Sequence, residues 1–453
     1  RGSAPTMASA MKVAVALAGL AAMGQGAAVT SESPRRFDGH RVVRCTPRTA
    51  AAASAVRGIA SEHPYTDWWR SPASAGLPAD ARLGPHDASV TAALWAVPDT
   101  NCTTLIPDVQ RLIDTENNPA VHPSNRARRQ ANDPWTWGYH EYDEIIRHFT
   151  EDVVPKHSRI ASTFSIGKSY EGREQLVVRV SAGTHAVDSN GTAVSNALPA
   201  FWLEALIHSR EWITGAAMYW IIEAILEGYG TNDDITKLVN KMDLYFLLVA
   251  NPDGYAYTQT DRMWRKTRAP NAGTTCVGTD PNRNWDFHWC EAGASTNPCD
   301  DRYCGDRAAS QIEVANIQKF VGDHGSIAAF LDFHAYSQLW LTPWGWTSAL
   351  PDRNDYEEQQ ACARRATEAL TAVHGKRYTY GPISTTIYPA AGSSVDWVYG
   401  VHDVKLAFGP EGRDTGQFGF MLPWTEIVPS GQENLAAVLA TAECALSASG
   451  AEI

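Results

Sequence analysis

AFWLEALIHSREWITGAAMYWIIEAILE, residues 200–227, holds an apolar run from Phe201 to Ile207 that stops at four polar residues, His208-Ser209-Arg210-Glu211. Beyond them Trp212, Ile213, Met218, Ile221, Ile222, Ile225 and Leu226 recur at the spacing of a helix with one buried face. The polar tetrad therefore marks the point where a strand hands over to a helix. In open α/β sheets that is where ligands bind, in the crevice past the carboxyl ends of the strands. His208 and Glu211 supply an imidazole and a carboxylate close enough in sequence to share one ion, two of the three protein ligands that a catalytic zinc takes. A His-x-x-Glu pair is also common on solvated helix faces, so a second histidine must come from elsewhere in the chain.

The 453 residues, 44% of them hydrophobic, suffice for one large core and a smaller one. A formal charge of -12 gives no basic face for nucleic acid. After the N-terminal region no run is long and apolar enough to span a membrane. Met11-Lys12, the apolar Val13–Met23 and the small residues of Gly24–Ala28 follow the order of a secretory signal peptide. Arg1–Ala10 ahead of them reads as an expression remnant or an upstream extension, so residues 1–28 are set aside from the fold. Eight cysteines fit the oxidising compartment such a leader reaches. A secreted monomer, or one lodged elsewhere in the secretory pathway, is the expectation.

From Arg36 to about Glu116 the pattern predicts a small α+β unit. Its strands are Val42–Cys45 and Cys102–Pro107, and its helices Ala50–Ser61 and Val109–Thr115. Antiparallel pairing of those two strands would bring Cys45 to Cys102. Asn117–Asn125 then leads into Arg126-Ala127-Arg128-Arg129, an exposed basic linker of the kind a processing protease cuts. Residues 29–129 are thus predicted to be a prodomain and 130–453 the mature domain. That domain starts with a capped helix around Tyr139–Ile146, then strands at Ile160–Ile166 and Glu174–Ser181. Asn101-Cys102-Thr103 and Asn190-Gly191-Thr192 have the form of N-glycosylation acceptors.

Leu244–Ala250 is apolar on both faces, as a central strand is, and ends at the turn signal Asn251-Pro252-Asp253-Gly254. Ile327–Phe333 runs straight into His334, and Val404–Phe408 leads to Glu411. Three predicted strands thus end at His208, His334 and Glu411. Each is a residue type that binds metal or moves protons.

At this point the chain resembles the zinc metallocarboxypeptidases of the pancreatic A/B type. The resemblance rests on HSREW (His208–Trp212), NPDG (Asn251–Gly254), RMWRKTR (Arg262–Arg268), PNRNW (Pro281–Trp285), HAYSQL (His334–Leu339), TTIYPAAGSSVDW (Thr385–Trp397) and EGRDTGQFGF (Glu411–Phe420). FDGHRVVRCTP (Phe37–Pro47) and IPDVQRLIDTE (Ile106–Glu116) resemble the inhibitory prodomain more loosely. The fold implied is α/β, a mixed twisted sheet flanked by helices, preceded by a small α+β ferredoxin-like prodomain. The activity implied is removal of single C-terminal residues from peptides and proteins by an enzyme made as a zymogen, with an activating protease cutting at the Arg-rich linker.

By the same resemblance His208, Glu211 and His334 hold one Zn2+ per chain, the His-His-Glu set already established for carboxypeptidase A. Glu411 corresponds to the general base that takes a proton from the attacking water and returns it to the leaving amine. Arg265 corresponds to the cation facing the developing oxyanion. Asn282, Arg283 and Tyr388 correspond to the groups that grip the substrate's terminal carboxylate, and the flanking Gly381-Pro382 and Gly392-Ser393-Ser394 predict a lid around Tyr388. Arg210 corresponds to a contact with the peptide upstream of the cleaved bond, where a plain surface arginine is the alternative.

Val395 stands where enzymes that prefer basic termini place an Asp, and Ile383 and Ile387 line the same pocket. Aromatic and large aliphatic C-terminal residues are therefore expected. A basic preference and a zinc-binding pseudoenzyme acting as a binding protein are the rival readings.

The resemblance also implies the disulfides Cys276–Cys299 and Cys290–Cys304, which leaves Cys362 and Cys444 to each other. It further implies cis bonds at Ala335-Tyr336, Pro343-Trp344 and Arg413-Asp414. Ala335 and Gly412 depart from the residues usual in the family.

Overall fold

A strand order that turns back on itself positions the cleft. The computed structural model describes residues 33–117, 135–183 and 198–448. The leader, the Arg126–Arg129 linker and Asn190 lie outside them. In the N-terminal unit β1 (Arg41–Pro47), β2 (Asp67–Arg70), β3 (Ala79–Leu83) and β4 (Thr100–Ile106) form a sheet of order β2-β3-β1-β4. Cys45 and Cys102 are register partners on the antiparallel pair β1/β4 and are bonded, with Cα atoms 4.1 Å apart. Helix Ala50–Glu62 covers this sheet and is capped by Thr49, whose hydroxyl accepts from Ala52 N at 3.2 Å. The sequence reading missed β2 and β3. DWWR is too short to show alternation and ADARL carries no β-branched residue, so only antiparallel pairing, of β3 with β1 and of β2 with β3, makes strands of them.

The larger sheet comprises β5 (Ala161–Lys168), β6 (Glu174–Val180), β7 (Ala200–Ala205), β8 (Asp243–Leu247), β9 (Ile327–Phe333), β10 (Leu339–Thr342), β11 (Thr379–Pro382) and β12 (Leu406–Glu411). Its order is β11-β10-β12-β9-β7-β8-β6-β5, mixed parallel and antiparallel. From β7 the chain goes to β8 on one side and then returns to β9 on the other. That reversal opens a crevice at the carboxyl ends of β7 and β9, the favoured ligand position in such sheets.

The period-2 alternation of buried strands divides the core. Phe201, Leu203 and Ala205 of β7 join a cluster under helices Trp212–Gly228 and Ile427–Ala448, while Ala200 and Trp202 face a second cluster with Phe330, Val395 and Val398. Burying each such Leu or Phe contributes about 1.5–3 kcal/mol.

Several boundaries shift for local reasons. The capped helix expected from Tyr139 starts at Tyr142, because Glu141 and Glu144 form a reciprocal capping box there. The Asn251–Gly254 turn is the start of helix Pro252–Tyr257, with Asn251 Oδ1 accepting from Gly254 N at 3.0 Å. The strand expected at Val404–Phe408 is displaced to Leu406–Glu411, because Gly409–Glu411 pair with β10, a strand the sequence did not reveal. Glu411 is thus a strand residue rather than one beyond a strand. Cys276–Cys299, Cys290–Cys304 and Cys362–Cys444 are bonded, the last joining helices Arg353–His374 and Ile427–Ala448. Ala335-Tyr336, Pro343-Trp344 and Arg413-Asp414 are cis.

Candidate metal centre and substrate cleft

After β7, Leu206 adopts a left-handed conformation, φ 60°, and turns the chain into His208–Glu211. Helix Trp212–Gly228 then begins, with Glu211 at its N-cap position. Glu211 does not cap: its carboxylate points across to His334, the first residue after β9. His208 Nδ1 lies 2.9 Å from Glu211 Oε1, and His334 Nδ1 lies 3.3 Å from Glu211 Oε2 and 3.1 Å from His208 Nδ1. All three residues are buried, and their ligand atoms lie within 4.8 Å of one another.

The donor set fits zinc. His208 Nε2 sits 3.2 Å from Asp280 Oδ1, so that nitrogen carries the proton and Nδ1 keeps its lone pair for a metal. Asp332 stands behind His334 in the same way. Two imidazole nitrogens and one carboxylate leave a fourth, open position of the kind catalytic zinc sites keep. Ala335, the departure from the family pattern, contributes through its backbone, donating N–H to Glu211 Oε2 at 3.1 Å.

Glu411 reaches this group because β12 pairs with β10 and forms a further bridge to His334. Burial, with Glu211 adding to it, pushes its carboxyl up to about 8, against the pull of His334, Arg70 and Arg265. A nearby divalent cation would draw it back toward the ionised form.

Arg265 is held by Asp280, with its Nε and one terminal nitrogen 3.1 and 2.8 Å from Oδ2, and its other nitrogen 3.9 Å from Glu211 Oε1. Against a large burial cost, Arg265 and His208 hold Asp280 well below the usual carboxylate range. One acid thus orients both a candidate zinc ligand and a candidate oxyanion partner.

Asp280 also caps the turn Pro281–Arg283, accepting from Asn282 N at 2.9 Å. That turn presents Asn282 and Arg283, and the Arg283 guanidinium stands 6.0 Å from the half-buried Tyr388 ring. Val395, Ile383 and Ile387 are buried together in the second apolar cluster. Asp396 offers no counter-ion for a basic side chain. Both of its oxygens accept from Gly345 N, and one also from Trp346 N, all at 2.9 Å; burial pushes the acid up to about 7.

Arg210 is no surface arginine, with 1% of its side chain exposed. It donates to Asp67 on β2 at 2.9 Å, to Asp301 at 3.3 Å and to Met263 O at 3.3 Å, and it lies over the Phe420 ring. The N-terminal unit therefore occupies the cleft's candidate upstream contact. Its other anchors surround the same region: Asp80 accepts from Tyr336 Oη at 2.6 Å, Trp69 packs against Phe420, and Glu116 takes both ends of the buried Arg262 fork at 2.7 Å.

Sequence reasoning missed Asp67, Asp80, Asp280 and Asp332. Asp280 had a local signal, an acid just before proline at a turn. Asp332 had another, a charge inside an apolar run. Asp67 and Asp80 had none.

The chain matches the family model described as "Zinc carboxypeptidase" over residues 146–437, and "Carboxypeptidase activation peptide" over residues 43–116. It is 38% identical to carboxypeptidase A1 of Sus scrofa over 413 residues, 91% of this chain and 95% of that protein. It is 37% identical to carboxypeptidase A2 of Mus musculus over 399 residues, 88% and 91% of the two chains. Among solved structures, thrombin activatable fibrinolysis inhibitor superposes with a TM-score of 0.77 at 31% identity, covering 91% of this chain and 100% of that one. A carboxypeptidase A from Helicoverpa armigera shares the fold, with a TM-score of 0.79 at 24% identity over 91% and 99% of the two chains.

Proposed function

The chain belongs to the zinc carboxypeptidases and carries their activation peptide, and we propose that it releases single aromatic or large aliphatic residues from peptide C-termini. It is an enzyme made as a zymogen, and its cofactor is zinc. The observation that carries the side-chain preference is the apolar trio Val395, Ile383 and Ile387, with Asp396 already bonded to backbone.

In the proposed mechanism Asn282, Arg283 and Tyr388 hold the terminal carboxylate, so only the last peptide bond reaches the ligands. Bound zinc supplies Lewis-acid polarisation and makes water a competent nucleophile near neutrality. Glu411 takes the proton from the attacking water and delivers it to the leaving amine nitrogen. Arg265, preorganised on Asp280, faces the negative charge that develops on the carbonyl oxygen. Secretion as a monomer, a prodomain of residues 29–129 and cleavage within Arg126–Arg129 complete the proposal.

Matched peptides ending in Phe and Arg test it on the linker-cleaved enzyme. Phe is released faster; faster release of Arg would overturn the pocket assignment. Val395→Asp places a carboxylate in the pocket and reverses the order of kcat/KM, since an unpaired buried charge opposes an apolar residue and pairs with a basic one.

The precursor offers a second test. Against burial, Arg210 and Arg82 hold the Asp67 carboxyl well below the usual carboxylate range. Its pairing therefore strengthens the closed form above the ordinary Asp pKa of about 3.9 and is lost only in stronger acid. Asp67→Asn at neutral pH raises residual hydrolysis by the uncut chain about tenfold or more, the effect of roughly 1.4 kcal/mol of lost latching. A variant precursor as silent as the parent would show that other contacts close the cleft.

A further inference from the structure

Resting on this reading of the site, we infer that Asp332 is a positioning residue that ties one zinc ligand, the terminal-carboxylate grip and the specificity pocket to a single carboxylate oxygen. Asp332 is the next-to-last residue of β9 and is fully buried. Its Oδ2 lies 3.0 Å from His334 Nε2, accepts from Ser394 Oγ at 2.6 Å, and lies 3.3 Å from Asn282 Nδ2. Asn282 Nδ2 is also 3.0 Å from His334 Nε2. An ionised carboxylate only accepts, so the Nε2 proton of His334 goes to Asp332, and the Asn282 amide donates to the same oxygen. With its proton committed at Nε2, His334 turns the lone pair of Nδ1 toward Glu211 and His208, where a metal would be held.

The third donor extends the link. Ser394 adjoins Val395 at the start of helix Ser394–His402, and its backbone N–H donates to Asn282 Oδ1 at 2.8 Å. Asn282 is thereby held at both ends of its amide, by Asp332 and by the pocket helix. Metal geometry and substrate registration share one anchor. Glu204 is the register partner of Asp332 on β7, but one of its oxygens takes Trp202 Nε1 at 2.8 Å instead, which makes it a matched comparison.

Asp332→Asn keeps the shape and removes the full acceptor. In the full-length chain, competition with a chromophoric chelator shows zinc affinity reduced about 10–100-fold. In the linker-cleaved enzyme at saturating zinc, KM for a Phe-terminated peptide rises several-fold through Asn282, by a larger factor than kcat falls. Glu204→Gln leaves both quantities unchanged.

A folded Asp332→Asn with parental zinc affinity and KM overturns the inference. If thermal melting shows that this variant does not fold, Ser394→Ala decides. It removes the shortest of the three bonds and lowers zinc affinity in the same direction, and a parental value there overturns the inference equally. A parent chain that binds zinc yet releases no terminal residue overturns the carboxypeptidase reading instead, while the chelator competition still judges Asp332.

Discussion

Replacing Glu411 by glutamine is expected to lower kcat of the linker-cleaved enzyme by about 10²–10⁴-fold, the usual range for losing a positioned general acid–base. Glutamine preserves the size of the side chain and its place at the end of β12, opposite Leu339 and bridged to His334. The fold and the three ligands are therefore left intact, and only the capacity to carry a proton from water to the leaving amine is lost. At about 1.36 kcal/mol per decade the change amounts to roughly 3–5 kcal/mol of transition-state stabilisation. Because the proton is in flight only in the transition state, kcat and kcat/KM fall together while KM stays near the parental value. Steady-state kinetics on a Phe-terminated peptide, with zinc content measured alongside, checks this. A glutamine variant within tenfold of the parent at equal zinc occupancy would remove Glu411 from the mechanism.

Stripping the metal is expected to abolish hydrolysis altogether and to destabilise the protein. His208, Glu211 and His334 are buried with their donor atoms converging, so without a cation their polar atoms are left crowded and poorly satisfied. An ion bound to the folded state alone stabilises it by about 4 kcal/mol when present at a thousand times its Kd. Chelation should therefore lower the melting temperature by several degrees as well as ending activity. Adding back one equivalent of zinc restores both. Magnesium restores neither, because a hard, octahedral, oxygen-seeking cation is poorly matched to two imidazoles and one carboxylate. Full activity in protein shown to be metal-free would refute the site.

Much of this was legible locally. The strand-to-helix handover at His208–Glu211 and the apolar run into His334 show in residue type and spacing, and Val395, Ile383 and Ile387 were placed by family motif, because strand and helix periodicities and motifs are local properties. Two helices of the N-terminal unit were read within a residue of their observed ends, while the helix Ala88–Ala96 was missed. Glu411 was found by motif, but its strand was misplaced, since β10 and β12 support each other only through long-range pairing.

The acids that organise the cleft were the hardest part. Glu204 and Asp332 interrupt apolar runs in plain view, yet which face each takes follows from strand alternation, and which neighbour each meets follows from the register between β7 and β9. Asp67 and Asp80 lie on short strands with no periodic signal. Their meaning comes only from docking against Arg210 and Tyr336, 143 and 256 residues away in the chain.

The sequence by itself determined the ligand types, the apolar character of Val395, Ile383 and Ile387, and the zymogen organisation, since these follow from side-chain chemistry and motif order. Only the tertiary structure decided which acid orients which ligand and which carboxylates of the N-terminal unit meet Arg210 and Tyr336. A hydrogen bond fixes partners to within a few tenths of an ångström, and that precision arises only once β7, β9 and β12 are set in register beside one another.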